Sequence, residues 1–194
     1  MSEFQQLKKE LEGFPFVDFH SLQSAHANGL VELGAASDHA RHWLTVDENA
    51  PAFPKLIAKL HTLMLLLFPA IWLAVAFIEE KLLWGLLAVL TLPLYLVLRP
   101  MTVNLLGAPV RLVIWFGYAC VLVSFFDLAP WTFAVGLTIV APWLANKITY
   151  SLSSTTALNV ALVDEASFLK LFKWGVVVVC LPNGRNIRYT QKVK

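Results

Sequence analysis

Charge is what this sequence has least of. Asp, Glu, Lys and Arg make up 14% of its 194 residues, against about 25% in an ordinary soluble domain. Between Lys59 and Arg99 the only formal charges are Glu79, Glu80 and Lys81, and between Arg111 and Lys147 the only one is Asp127. Cysteine is equally sparse. Cys120 lies in an apolar run and Cys180 in the polar C-terminal segment, which excludes a disulfide framework. The first residues, MSEFQQLKKELEGFP, lack the basic start, apolar run and small-residue site of a secretory signal.

Catalytic patterns are missing as well. There is no H-E-x-x-H, no G-x-S-x-G, no phosphate-cradling glycine loop and no Cys-x-x-Cys. His39 and His42 stand three apart beside Asp38, but no third ligand has matching spacing, and a closed zinc site takes four. His26 falls among apolar residues and reads as a hydrogen-bonded core residue. No catalytic residue, cofactor or metal is expected. A net charge of +2 is too weak to draw nucleic acid, although it is unevenly spread. Residues 1–59 carry five Lys/Arg against eight Asp/Glu, and residues 146–194 carry seven against two.

What the sequence has is apolar length. Hydrophobic residues reach 58% and mean hydropathy is +0.65, concentrated in residues 60–98 and 112–146. As one helix, residues 60–98 would run about 58 Å at 1.5 Å per residue, roughly twice a bilayer core. Splitting the block at Glu79, Glu80 and Lys81 gives two segments of spanning length. Charges placed in a turn at the water interface cost little, whereas buried in hydrocarbon they cost several kcal/mol. Asp127, followed by Pro130 and Trp131, repeats the pattern in the second block. Glu79, Glu80, Lys81 and Asp127 are therefore read as membrane turns; the alternatives are a buried ion pair and, for Asp127, an ion site.

These features predict an all-α polytopic membrane protein with four transmembrane helices arranged as two hairpins. The predicted divisions are an amphipathic helical tail and linker (1–55), a first hairpin (56–98), a loop (99–111), a second hairpin (112–146) and a C-terminal helix plus β-hairpin (147–194). Lys and Arg collect in the tails and central loop, so the positive-inside rule predicts both termini in the cytoplasm, in a bacterial inner membrane.

In the N-terminal tail, Phe4, Leu7, Leu11 and Phe14 fall at helical spacing, as do Phe19, Leu22, His26, Leu30 and Leu33. Asp18 suits a cap for the second helix, and Ser37 or Asp38 for a third through HARHWL. Near the C-terminus, VVVVCLPNGRNIRYT predicts a β-hairpin closed by a two-residue Asn183-Gly184 turn. That register sets Cys180 opposite Ile187 and Val178 opposite Tyr189. Val176, Val178, Cys180, Ile187 and Tyr189, ringed by Arg185 and Arg188, form the candidate partner surface, open to strand addition or covered by the acidic N-terminal tail.

Missing chemistry and unspent apolar surface point to a non-enzymatic protein acting through protein contacts. It would be an accessory or assembly subunit, or a protective protein of the immunity type, with the bilayer and another membrane or cytoplasmic protein as partners. The alternatives are a membrane-shaping hairpin protein and a small oligomeric transporter or channel.

Overall fold

A computed structural model describes residues 3–11, 14–80, 82–97, 107–124 and 130–189. In chain order the elements are α1 (Glu3–Glu10), α2 (Phe19–Ala27), β1 (Glu32–Ala35), α3 (Ser37–Val46), α4 (Ala52–Glu79), α5 (Leu82–Val97), α6 (Ala108–Ser124), α7 (Pro130–Ala161), α8 (Glu165–Lys173), β2 (Val177–Cys180) and β3 (Asn186–Ile187). The chain divides into two compact units, one of Met1–Lys55 with Tyr150–Lys194, the other of Leu56–Thr149.

The first unit is built by local signals at its helix ends. Asp18 caps α2 in a reciprocal box: the Ser21 amide donates to its carboxylate at 2.8 Å, and the Asp18 amide donates back to the Ser21 hydroxyl at 3.3 Å. Asp164 caps α8 by accepting from the Ser167 amide at 2.8 Å. Both helices end in the same way. After α2, Gly29 takes φ +67, its amide bonds the His26 carbonyl, and the Leu30 amide bonds that of Ala25. After α8, Gly175 takes φ +66, its amide bonds Phe172, and Val176 bonds Leu171. Each is a Schellman stop, which needs a left-handed residue that glycine supplies without strain. Each releases the chain directly toward a strand.

Those strands meet. β1 pairs antiparallel with β2, setting Leu33 opposite Val179 and Ala35 opposite Val177. β3 pairs on the other side, giving the order β1-β2-β3. Leu33 was expected on a helical stripe; it lies instead on a strand, because the Asn28-Gly29 stop ends the helix six residues earlier. The hairpin register also differs from expectation: Val179 faces Ile187 and Cys180 faces Asn186. Pro182 explains the shift. Flanking a two-residue Asn183-Gly184 turn it would have no N–H to close the ladder, whereas its fixed φ suits the first central position of a type I turn. The loop becomes Pro182-Asn183-Gly184, with Gly184 at φ +77 as the bulge residue, closed by Leu181 N–H to Arg185 O at 2.9 Å. Beneath the sheet sits an aromatic core. Phe4 lies 5.5 Å from Phe14 and 5.9 Å from Phe168, and Phe168 stacks on Phe172 at 5.5 Å.

The second unit holds α5, α6 and most of α4 and α7. Trp72, Leu87, Ala88 and Ala134 form one buried cluster. Val110, Ile114 and Ile139 form another, flanked by Tyr118, Val135 and Trp143. α6 and α7 cross at glycine. A Cβ on Gly136 would stand 2.7 Å from the Gly117 carbonyl oxygen, and one on Gly117 would stand 2.8 Å from Ile139. The crossing therefore closes only without side chains at both positions. A buried polar pair lies in the same unit, His61 Nε2 and Asn146 Oδ1 at 2.9 Å.

The four spanning helices expected from composition are not found. Among the described residues no helix is long and apolar enough to cross a membrane. Over their described residues, 16 and 17 in number, α5 and α6 reach about 24–26 Å, short of a core of roughly 30 Å. α4 carries Lys55, Lys59 and His61 in its first three turns. α7 runs without a break through residue 146 to Ala161, and its buried face includes Thr138, Asn146, Thr149 and Ser153. The transmembrane and inner-membrane assignments, and the orientation built on them, fall with the spans. The architecture is helical with a small antiparallel sheet rather than all-α.

Candidate functional site

The residues read as turns separate into described and undescribed. α4 ends at Glu79 and α5 begins at Leu82. Glu80 between them is exposed, in the left-handed region at φ +53. Lys81 and Asp127 lie outside the described residues, so the ion-site reading of Asp127 has no geometry to build on. Around the α4–α5 break the chain is openly apolar: Phe77 is 87% exposed, Ile78 76% and Leu82 91%.

The hairpin residues proposed as a partner surface are largely engaged within the chain. Val176 and Ile187 are buried, Val178, Cys180 and Tyr189 are half-buried, and Arg185 and Arg188 are exposed. The main-chain edges of β2 are both occupied, one by β1 and one by β3. The Tyr189 ring meets Phe172 at 6.2 Å. Arg188 Nη2 donates to the Gly175 carbonyl at 3.2 Å and lies 3.2 and 3.3 Å from the two ring nitrogens of His39. His39 thus sits against Arg188 and the end of α8, and His42 is exposed on α3. Among the described residues no three His, Cys, Asp or Glu side chains gather to hold a metal ion.

Asp47, at the end of α3, joins three pieces of the first unit. It accepts from the Trp43 indole at 2.7 Å, from Lys170 Nζ at 2.6 Å and from the Asn49 amide at 3.1 Å. Its main-chain carbonyl takes Lys55 Nζ at 2.8 Å. Burial pushes the Asp47 carboxyl up, and the bonds from Lys170, Trp43 and Asn49 more than offset it, leaving the group below its ordinary value. Through Trp43 and Lys170 the cluster fastens α3 to α8.

The second unit contains an aromatic-lined concavity. A groove of about 590 Å³ is lined by Arg111, Ile114, Trp115, Tyr118, Val121, Leu122 and Trp143. The Tyr118 ring meets Trp143 edge-on at 5.7 Å and lies 6.1 Å from Trp115. Lys147 Nζ sits 5.0 Å over the Trp143 ring. Sequence reading missed this groove. Its signal was the W-F-G-Y run of residues 115–118, where two aromatics three apart share a helix face and the glycine lets the next helix close in.

No family model, no curated protein and no solved structure matches this chain.

Proposed function

We propose that this chain is a non-enzymatic accessory protein that works by contact, docking apolar helices of a partner protein onto the helix faces of residues 56–149. The observation that carries the reading is the density of large exposed apolar side chains there. Leu82, Phe77, Ile78, Trp115, Leu112 and Val89 are each at least 66% exposed. Large apolar side chains exposed at this density suit interaction sites rather than ordinary solvent-facing helix. Ridges of Leu, Val and Phe on helices accept other helices by ridge-into-groove packing. The sparse charge of these helices suits an apolar partner surface. The first unit is held by its own sheet and aromatic core.

The test is site-specific photocrosslinking from position 77 or 82 in the full chain, in its native cells. One protein adduct of defined mass, lost in a Phe77→Gln/Leu82→Gln double variant crosslinked from position 89, supports the reading. Adducts to lipid alone, or protein adducts unaffected by the double variant, overturn it.

A further inference from the structure

We propose that the groove between α6 and α7 is a binding site for a free single-chain anionic amphiphile, of the fatty carboxylate type. This goes beyond docking of a protein partner and does not depend on it.

The walls suit an acyl chain. Trp115, Tyr118 and Trp143 supply aromatic faces, and Ile114, Val121 and Leu122 complete an apolar trough. Its volume of about 590 Å³ falls within the usual range for small-molecule sites. From Arg111 to Leu122 the trough follows α6 for about 16 Å at 1.5 Å per residue, the reach of an extended chain of roughly a dozen carbons.

The charges suit an acidic head at one end. α6 and α7 run antiparallel, with Gly117 against Ile139 and Val121 against Gly136. Carried on, that register brings Arg111 level with the α7 turn that holds Lys147. Lys147 is itself stacked on Trp143, a wall of the trough. Both cations therefore stand at the same end of the helix pair. No acidic residue occurs in α6 or α7; the next along the chain is Asp164, the cap of α8. A guanidinium offers a carboxylate two parallel N–H donors. At the other end the trough closes on Val121 and Leu122, with no described polar lining residue to meet a second head group.

The experiment is titration of the full chain with dodecanoate, dodecanol and dodecyltrimethylammonium, each below its micelle concentration, followed by tryptophan fluorescence and calorimetry. Dodecanoate is expected to bind one to one and saturably, at least tenfold tighter than dodecanol, and tighter still than the cationic amphiphile. Arg111→Gln, at an exposed position, is expected to weaken dodecanoate about tenfold and leave dodecanol unchanged. Trp115→Ala, also exposed, is expected to weaken both. Equal affinity for the three amphiphiles, unsaturable partitioning, or indifference of dodecanoate to either substitution would overturn the assignment.

Discussion

The glycine crossing of α6 and α7 makes the sharpest prediction. Alanine in a helix interior is favoured over glycine by roughly 0.8–1.0 kcal/mol, so Gly136→Ala should stabilise if nothing touched the new methyl group. The methyl would stand 2.7 Å from the Gly117 carbonyl oxygen and 2.8 Å from the Val121 amide nitrogen. Both are main-chain atoms, so neither can swing aside, and α6 must move away from α7. Overpacking of that kind typically costs about 1–3 kcal/mol, and contact with backbone places this case toward the upper end. The net expectation is a loss of about 1–2 kcal/mol, or roughly 2–8 °C in the midpoint at about 2–4 °C per kcal/mol for a chain of this length. Gly85→Ala is the internal control. Among the described residues its methyl would meet only Ala76 Cβ at 3.9 Å, an ordinary contact, so it should raise stability by up to about 1 kcal/mol. Thermal unfolding by circular dichroism, with hydrogen exchange over α6 and α7, measures both. If Gly136→Ala proves as stable as Gly85→Ala, the crossing is not the close contact described here.

Other expectations follow from the same geometry. Gly184→Ala, at φ +77, should cost about 1–2 kcal/mol and lower exchange protection across β2 and β3. Asp47→Asn should cost roughly 1–2 kcal/mol in denaturant unfolding, a charged hydrogen bond discounted because Lys170 is 43% exposed and screened by solvent. Asp18, Asp47 and Asp164 all have depressed carboxyls: Ser21 and Ser167 amides hold the two caps down, and Lys170, Trp43 and Asn49 outweigh burial at Asp47. The unfolded chain then binds more protons, so their stabilisation is complete above the ordinary value of about 3.9. It is lost as pH falls through the folded values, and acid titration should show a decline beginning near pH 4–5 and flattened in Asp47→Asn. Asn146→Leu should cost about 1–3 kcal/mol by removing the buried acceptor of the His61 bond, measured in the same unfolding assay.

Local signals were the legible part of this sequence. Asp18 before an apolar-periodic run marks its helix, and α3 runs through HARHWL, although its N-cap is Ala36, which makes no side-chain cap bond. Asn183-Gly184 marks a hairpin, and Pro182 before it, having no N–H, selects the three-residue loop over the two-residue one. β1 was missed because the Leu30 and Leu33 spacing fits a helix equally well; only Asn28-Gly29 separates the two readings. The larger misreading came from the apolar blocks. Hydropathy summed over a block does not say how long any one helix in it is, and over the described residues α5 and α6 are 16 and 17 residues long. Nor does it see that the buried face of α7 is rich in Thr, Ser and Asn. The groove was hidden for a related reason: Trp143 is far in sequence from Trp115 and Tyr118, and only the Gly117–Gly136 approach brings them together.

The pairing of β1 with β2 also fixes an order of events at the ribosome. β1 is made early, yet its partner ends at Cys180, and β3 closes only at Ile187. At 5–20 residues per second, Glu32–Ala35 waits on the order of 10 s while the whole of Leu56–Thr149 is synthesised. Through that interval Phe4, Phe14 and Phe19 lack the Phe168 and Phe172 rings that later cover them. A nascent chain stalled before residue 164 should therefore hold an unfinished aromatic core, which is the species a chaperone would meet.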